Sequence, residues 1–213
     1  MKKEIKKKRK PGRPRQPEKR QAIIAAVRPS FGEFGYNGIS LDKLANAAGV
    51  HKASLVHFFR SKEGLYLAVT DALVAELLLT LEPVFRSDTQ HRERLDEVAV
   101  AVTDYFMRVP DAARMLLREG IGDGPDGMET RRHVIKEIAN AAQGFIEEGI
   151  AEGAFVEQDS RAAFLAIGGY VLVLYGAPMI SRDVIDIRSS KPADQEREAA
   201  RFAGLMVRLL CVD

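Results

Sequence analysis

Apolar residues recur at steps of three and four along most of the chain. No stretch alternates at a period of two between hairpin turns, so the pattern predicts an all-α protein. Pro17, at a favoured first-turn position, opens a helix whose inward face is Ile23, Ile24, Val27 and Phe31; Pro29 predicts a kink or an early end between residues 27 and 30. Ser40 caps a short helix that turns Leu41, Leu44, Ala45 and Ala48 inward, and Gly49 supplies the left-handed turn after it. Val50, Leu55, Phe58 and Phe59 form the inward face of a second short helix. Ser61 caps a longer one that runs through Leu65, Val69, Leu73 and Leu77 to Pro83. Beyond residue 89 the spacing of Leu95, Val98, Val102, Tyr105 and Phe106 predicts a helix that Pro110 ends, and Pro110 starts the next. Residues 123–127 read as a loop, followed by a helix carrying Ile138, Ala142, Phe145 and Ile146. An uncharged stretch, 162–180, then precedes a loop at 181–191 and a last helix over 193–210.

Two short helices joined by a glycine turn are the helix-turn-helix unit, whose second helix lies in the DNA major groove. On that second helix Lys52, Ala53, Ser54, Val56 and His57 fall outside the apolar face. At these residues the sequence resembles the TetR (tetracycline repressor) family of bacterial regulators. The resemblance begins at Phe31 and Gly35-Tyr36, runs through Ser40, Leu44-Ala45 and Ala48-Gly49-Val50 to Phe59, and closes with Ser61-Lys62-Glu63 and Leu65. His51 stands where the family usually has Ser or Thr, and Val56 where it has a Tyr that touches the DNA backbone. The resemblance implies a three-helix DNA-binding domain over residues 17–66 and a helical ligand-binding and dimerisation domain over 67–213. It also implies that the last two helices pair with those of a second copy.

Charge changes the picture at one end. The net charge is +2, yet residues 1–20 hold 11 Lys or Arg against 2 Glu, which leaves the remaining 193 residues at −7. A basic end of this kind is the footprint of a polyanion partner. Residues 1–16 are too charged and Pro-rich to bury apolar area and read as a disordered arm. Gly12-Arg13-Pro14-Arg15 resembles an AT-hook, whose arginines lie along the narrow minor groove of A·T-rich DNA. The plainer alternative is a solubilising basic tail.

The candidate DNA contacts are therefore Arg13 and Arg15 in the arm, then Ser40, His51, Lys52, Ala53, Ser54, His57 and Lys62 in the head. Lys52 and Ser54 can reach bases or phosphates, Ala53 is small enough to meet a thymine methyl, and His57 can donate to a phosphate. At the helix start after Ser61, free backbone N–H groups and Lys62 favour a phosphate. For the cavity that the resemblance implies, Phe106, Met107, Met115, Met128, Phe145, Tyr170, Tyr175 and Met179 are candidate lining, and Arg118 and Glu119 candidate polar anchors. Leu172, Met179, Phe202, Met206 and Leu209 are candidates for the dimer interface. The partners expected are double-stranded DNA, a second copy of the chain and a small apolar or amphipathic effector.

Catalysis finds little support. His51 and His57 fall in the DNA head, His91 and His133 stand alone, no Ser or Cys has a nucleophile-elbow setting, and no phosphate-cradling glycine loop occurs. Cys211 is the only cysteine, and no Cys/His spacing suits zinc, so neither a cofactor nor a metal is expected. No signal peptide is read after Met1, and a reducing, cytoplasmic setting is the expectation. A membrane span over 162–180 is set aside because glycines, a proline and two tyrosines dilute it and no aromatic belt flanks it. The reading is a ligand-responsive repressor on a palindromic operator. Its rivals are an architectural or recombinase-associated DNA protein without an effector, and a small helical hydrolase or lipid-binding protein.

Overall fold

The computed structural model describes residues 16–122, 124–125, 128–187 and 192–211, with backbone only at 128–134 and 192–193. The described residues form nine α-helices and no strand. In chain order these are α1 (Gln16–Phe34), α2 (Leu41–Ala47), α3 (Lys52–Phe59), α4 (Lys62–Phe85), α5 (His91–Arg108), α6 (Pro110–Gly120), α7 (Met128–Ala151), α8 (Ser160–Gly176) and α9 (Pro192–Leu210).

The first three helices and the start of α4 enclose a small core. Val27, Phe31, Leu44, Leu55, Leu65 and Tyr66 are each almost wholly buried. Removing each such side chain from water contributes about 1.5–3 kcal/mol. Phe31 and Tyr36 both meet the Tyr66 ring edge-on, at 5.0 and 5.3 Å. Local chemistry sets the boundaries. Ser40 Oγ accepts from the Lys43 amide at 3.3 Å, and Ser61 Oγ accepts from the Gly64 amide at 3.0 Å. Gly49 has φ +62°, where a side chain would be strained.

Two sequence expectations change. Of the kink or early end expected between residues 27 and 30, the early end does not occur: α1 runs through Pro29 to Phe34. Pro29 removes one backbone hydrogen bond, but the helix beyond it is held by the fully buried Phe31 and by Gly32, which packs directly on Asp111 of α6. The segment after residue 180 is also more ordered than a loop: Met179–Val184 forms a π-helical turn.

α4 is the shared element. It starts in the head, crosses the expected boundary at residue 66 without interruption and continues into the body. By length and composition it could cross a membrane, with mean hydropathy 1.7, but 50% of the apolar window is buried inside the fold, as in the core helix of a bundle. The Tyr105 hydroxyl donates to the Leu73 carbonyl at 2.8 Å, fastening α5 to α4. Burial, with Glu76 adding to it, pushes that phenol well above its ordinary pKa, so it stays a donor. α6 packs against α8 on one side and α1 on the other.

The α6–α8 approach is closest at Gly176, where an added Cβ would lie 2.8 Å from the Ala113 carbonyl oxygen and 3.0 Å from its carbon. Those are backbone atoms and cannot rotate away. Gly176→Ala should therefore destabilise the body by about 1–3 kcal/mol, the usual cost of overpacking, despite the better helix propensity of Ala. Chemical denaturation of the two proteins checks this; an unchanged midpoint would mean that the helices separate freely.

Candidate DNA-binding and effector sites

The recognition helix α3 is pinned from behind by Leu55 and Phe59, both buried. Its solvent side carries Lys52, Ala53, Val56 and His57, all exposed, while Ser54 is half-buried. His51 takes the N-cap position with extended backbone, but its side chain makes no capping bond and is exposed. Lys52 Nζ lies 2.9 Å from Asp42 Oδ2 of α2, in a pair more than half exposed on both sides. Such a pair is worth at most about 1 kcal/mol, so a phosphate can draw Lys52 away. Lys62 lies 4.4 Å above the Tyr36 ring, and burial lowers its pKa. Ser40 is occupied as a cap. The α3–α4 turn contains a feature that the sequence reading missed: Arg60 has φ +67°, in the left-handed region. Arg13 and Arg15 lie outside the described residues.

Behind the head, α4 to α9 surround a cavity of about 460 Å³, a size typical of small-molecule sites. α4 contributes Leu77, Leu81 and Phe85; α5 Leu95, Val98, Val102 and Phe106; α6 Leu116, Leu117 and Gly120. α7 adds Ile138, Ala142, Phe145 and Ile146, α8 most of residues 164–173, and α9 Phe202, Met206 and Leu210. Every lining side chain among the described residues is apolar. Such a space can take an aliphatic or aromatic body, and the described lining offers it no side-chain hydrogen bond.

Of the residues singled out from sequence, Phe106 and Phe145 line this cavity. Met115 and Glu119 are buried outside it, and Met107 is half-buried outside it. Met179 is exposed, and the Met128 side chain lies outside the description. Arg118 donates to the Glu33 carbonyl at 3.4 Å, joining α6 to α1. Tyr175 stacks on Phe106 (5.7 Å, 16°) and Tyr170 on Phe202 (5.7 Å, 9°), so both tyrosines back wall residues. Burial raises the Tyr175 pKa to about 12. Phe202 and Met206, expected at a dimer interface, are instead buried within the subunit and line the cavity; α9 turns Arg197, Ala200, Arg201 and Arg208 outward. Leu172 also lines the cavity, and Leu209 is half-buried.

The sequence profile described as bacterial regulatory proteins of the tetR family matches residues 23–69, and that of the tetracyclin repressor-like C-terminal domain matches residues 88–175. The chain belongs to the TetR family. It is accordingly a DNA-binding transcriptional regulator, of a kind that typically works as a dimer. The HTH-type transcriptional regulator RutR of Escherichia coli K12 is 28% identical over 143 residues, 67% of each chain. A tetR family regulatory protein from Rhodococcus RHA1 has the same fold, with TM-score 0.73, 21% identity, and coverage of 92% of this chain and 99% of that one. FadR from Bacillus subtilis, solved in complex with stearoyl-CoA, aligns with TM-score 0.69 and 20% identity over 88% of this chain and 97% of its own.

One polar cluster of this TetR-family regulator corrects the sequence reading, in which His91 stood alone. His91 is 4% exposed at the start of α5 and faces α7, with Nδ1 3.2 Å from Glu152 Oε2. Its Nε2 lies 2.8 Å from Arg94 Nη2. A guanidinium nitrogen can only donate, so Nε2 is the acceptor and Nδ1 carries the proton directed at Glu152. Arg94 also donates to the Phe85 carbonyl at 3.3 Å and lies over the Phe145 ring, tying the end of α4 to two walls of the cavity. His91, Glu148 and Glu152 are the one group among the described residues able to hold a metal ion, but Arg94 already occupies the His91 Nε2 acceptor and lies 3.7 Å from Glu148.

Proposed function

We propose that the chain represses transcription as a homodimer on a palindromic operator, and releases the DNA when the acyl chain of a fatty acyl-CoA, or an aliphatic body like it, enters the cavity. The observation that carries this reading is the apolar lining, among the described residues, of a cavity of about 460 Å³ whose walls include two helices fastened to the DNA head. The stearoyl-CoA held by FadR narrows the ligand class. We read the cavity as binding and not catalytic, because no lining side chain among the described residues can transfer a proton or attack a substrate. The cytoplasm, where the chromosome is, is the place of action.

The coupling is mechanical. α4 carries Leu77, Leu81 and Phe85 on the cavity and Ser61 and Lys62 at the DNA end. α6 carries Leu116 and Leu117 on the cavity and seats Asp111 on Gly32 of α1. A ligand that separates α4 from α6 therefore moves α1 and α4 together, and the head turns with them. In the dimer the two α3 helices must meet successive major grooves, about 34–36 Å apart, so a small rotation of each head breaks the match. The ligand shifts affinity only as far as it prefers the separated state. His51, Lys52, Ala53, Ser54 and His57 contact bases and phosphates in this reading, Lys62 and the Ser61-capped helix start hold a phosphate, and Arg13 and Arg15 follow the minor groove.

The test uses an operator selected by the purified protein from a random DNA pool, labelled for fluorescence anisotropy. Decanoyl-CoA and stearoyl-CoA should each weaken operator binding at least tenfold, and free CoA should not. Tighter binding in the presence of acyl-CoA would overturn release. Indifference to every acyl chain would overturn the effector class.

A further inference from the structure

The solvent side of the recognition helix has an apolar centre. At about 100° per residue, the exposed residues of α3 fan out in the order Lys52, Val56, Ala53, His57, while Leu55 and Phe59 turn into the head. The two middle members carry no hydrogen-bonding group in their side chains. Val56 is 44% exposed, and among the described residues of the head only Phe34, at the end of α1, is another large apolar side chain left in water. The polar members at the two edges are engaged by neighbours. Lys52 Nζ meets Asp42 Oδ2 at 2.9 Å, and the His57 ring lies edge-on to Phe58 at 5.3 Å.

The chemistry of the major groove decides what such a centre can face. A valine seated on a phosphate would strip water from charged oxygens and return no hydrogen bond. The same cost arises against the donor and acceptor edges of guanine, cytosine and adenine. Thymine alone presents a carbon group there, its 5-methyl. Val56 suits that group, because a β-branched side chain holds one preferred rotamer in a helix and loses little freedom on contact. Ala53 ends at its Cβ, so it lets the helix approach closely, and Val56 beside it extends further toward the bases. A contact to the DNA backbone holds any sequence, whereas a contact to the methyl group reads one base.

We propose that Val56 selects thymine at one position of each operator half-site by seating its γ-methyl groups on the 5-methyl group of the base. The proposal rests on the reading that α3 enters the major groove of a palindromic operator.

The experiment uses the full chain and the palindrome that it selects from random DNA. Each thymine of the half-site is replaced in turn, in both halves together, by deoxyuridine, which deletes the methyl group and keeps every hydrogen-bonding group of the base. At one thymine the wild type should lose about fifteenfold in affinity, about fourfold for the methyl contact in each half-site. For Val56→Ala the same replacement should cost less than about twofold, and the variant should match the wild type on the deoxyuridine operator. An operator with no such thymine would overturn the proposal, as would a penalty that Val56→Ala shares. If Val56→Ala loses its helical circular dichroism, Ala53→Ser decides: it should keep the full penalty, and losing the penalty would assign the methyl group to Ala53 and overturn the role of Val56. Selection that recovers no palindrome would instead remove the operator reading itself, and this proposal with it.

Discussion

Removing residues 1–15 should weaken operator binding on the order of 10²-fold at low salt and flatten its dependence on salt concentration. The segment holds nine Lys or Arg and one Glu, against a net charge of +2 for the whole chain, so without it the rest of the protein is acidic. Binding to duplex DNA draws much of its strength from counterions released at each neutralised phosphate, and log affinity falls with log salt at about 0.9 per contact. A dimer brings two such segments. If each neutralises about two phosphates, the deletion takes close to 4 from the slope. An unaltered slope in anisotropy titrations from 50 to 200 mM salt would show that the segment does not touch DNA. Arg13→Ala with Arg15→Ala divides the effect further. It should cost more on operators with A·T-rich flanks than on G·C-rich ones, since a narrow minor groove concentrates negative potential where arginine inserts.

The head was almost fully legible in the sequence because its determinants are local. Ser40, Gly49 and Ser61 act on backbone groups within four residues of themselves, and these short-range rules do not depend on the remainder of the fold. Pro29 is the instructive exception: the local rule ends a helix there, but Phe31 and Gly32 are held by Tyr66 and Asp111, and tertiary packing prevailed. The body was legible as helices and not as a site. Its cavity is built largely from Leu, Ile and Val, indistinguishable by spacing from residues of a filled core, while Tyr170 and Tyr175, which chemistry would favour as ligand contacts, stand behind Phe202 and Phe106. The His91 cluster escaped for a related reason. Its carboxylates are more than fifty residues away in sequence, and only the packing of α5 against α7 brings them to the ring.

Ala142→Trp should yield a regulator that holds its operator and no longer answers to acyl-CoA. Ala142 lies on α7, half-buried, with its side chain on the cavity and far in sequence from the DNA head. An indole projecting from this point occupies space that the ligand would need. Because the described walls are apolar, the new ring gains contacts, and stability should hold or rise. The acyl-CoA concentration that releases half the DNA should increase by about 100-fold, a loss near 2.7 kcal/mol of ligand binding, with operator affinity in its absence changed by no more than about twofold. Release at wild-type concentrations would move the effector site elsewhere on the protein. DNA affinity lost without any ligand would carry a different meaning: the indole itself would then be forcing α6 from α4, and the cavity would be confirmed as the point from which the head is moved. The two results are separated by measuring operator affinity before acyl-CoA is added, because only a bulky group acting as a permanent effector lowers that first value.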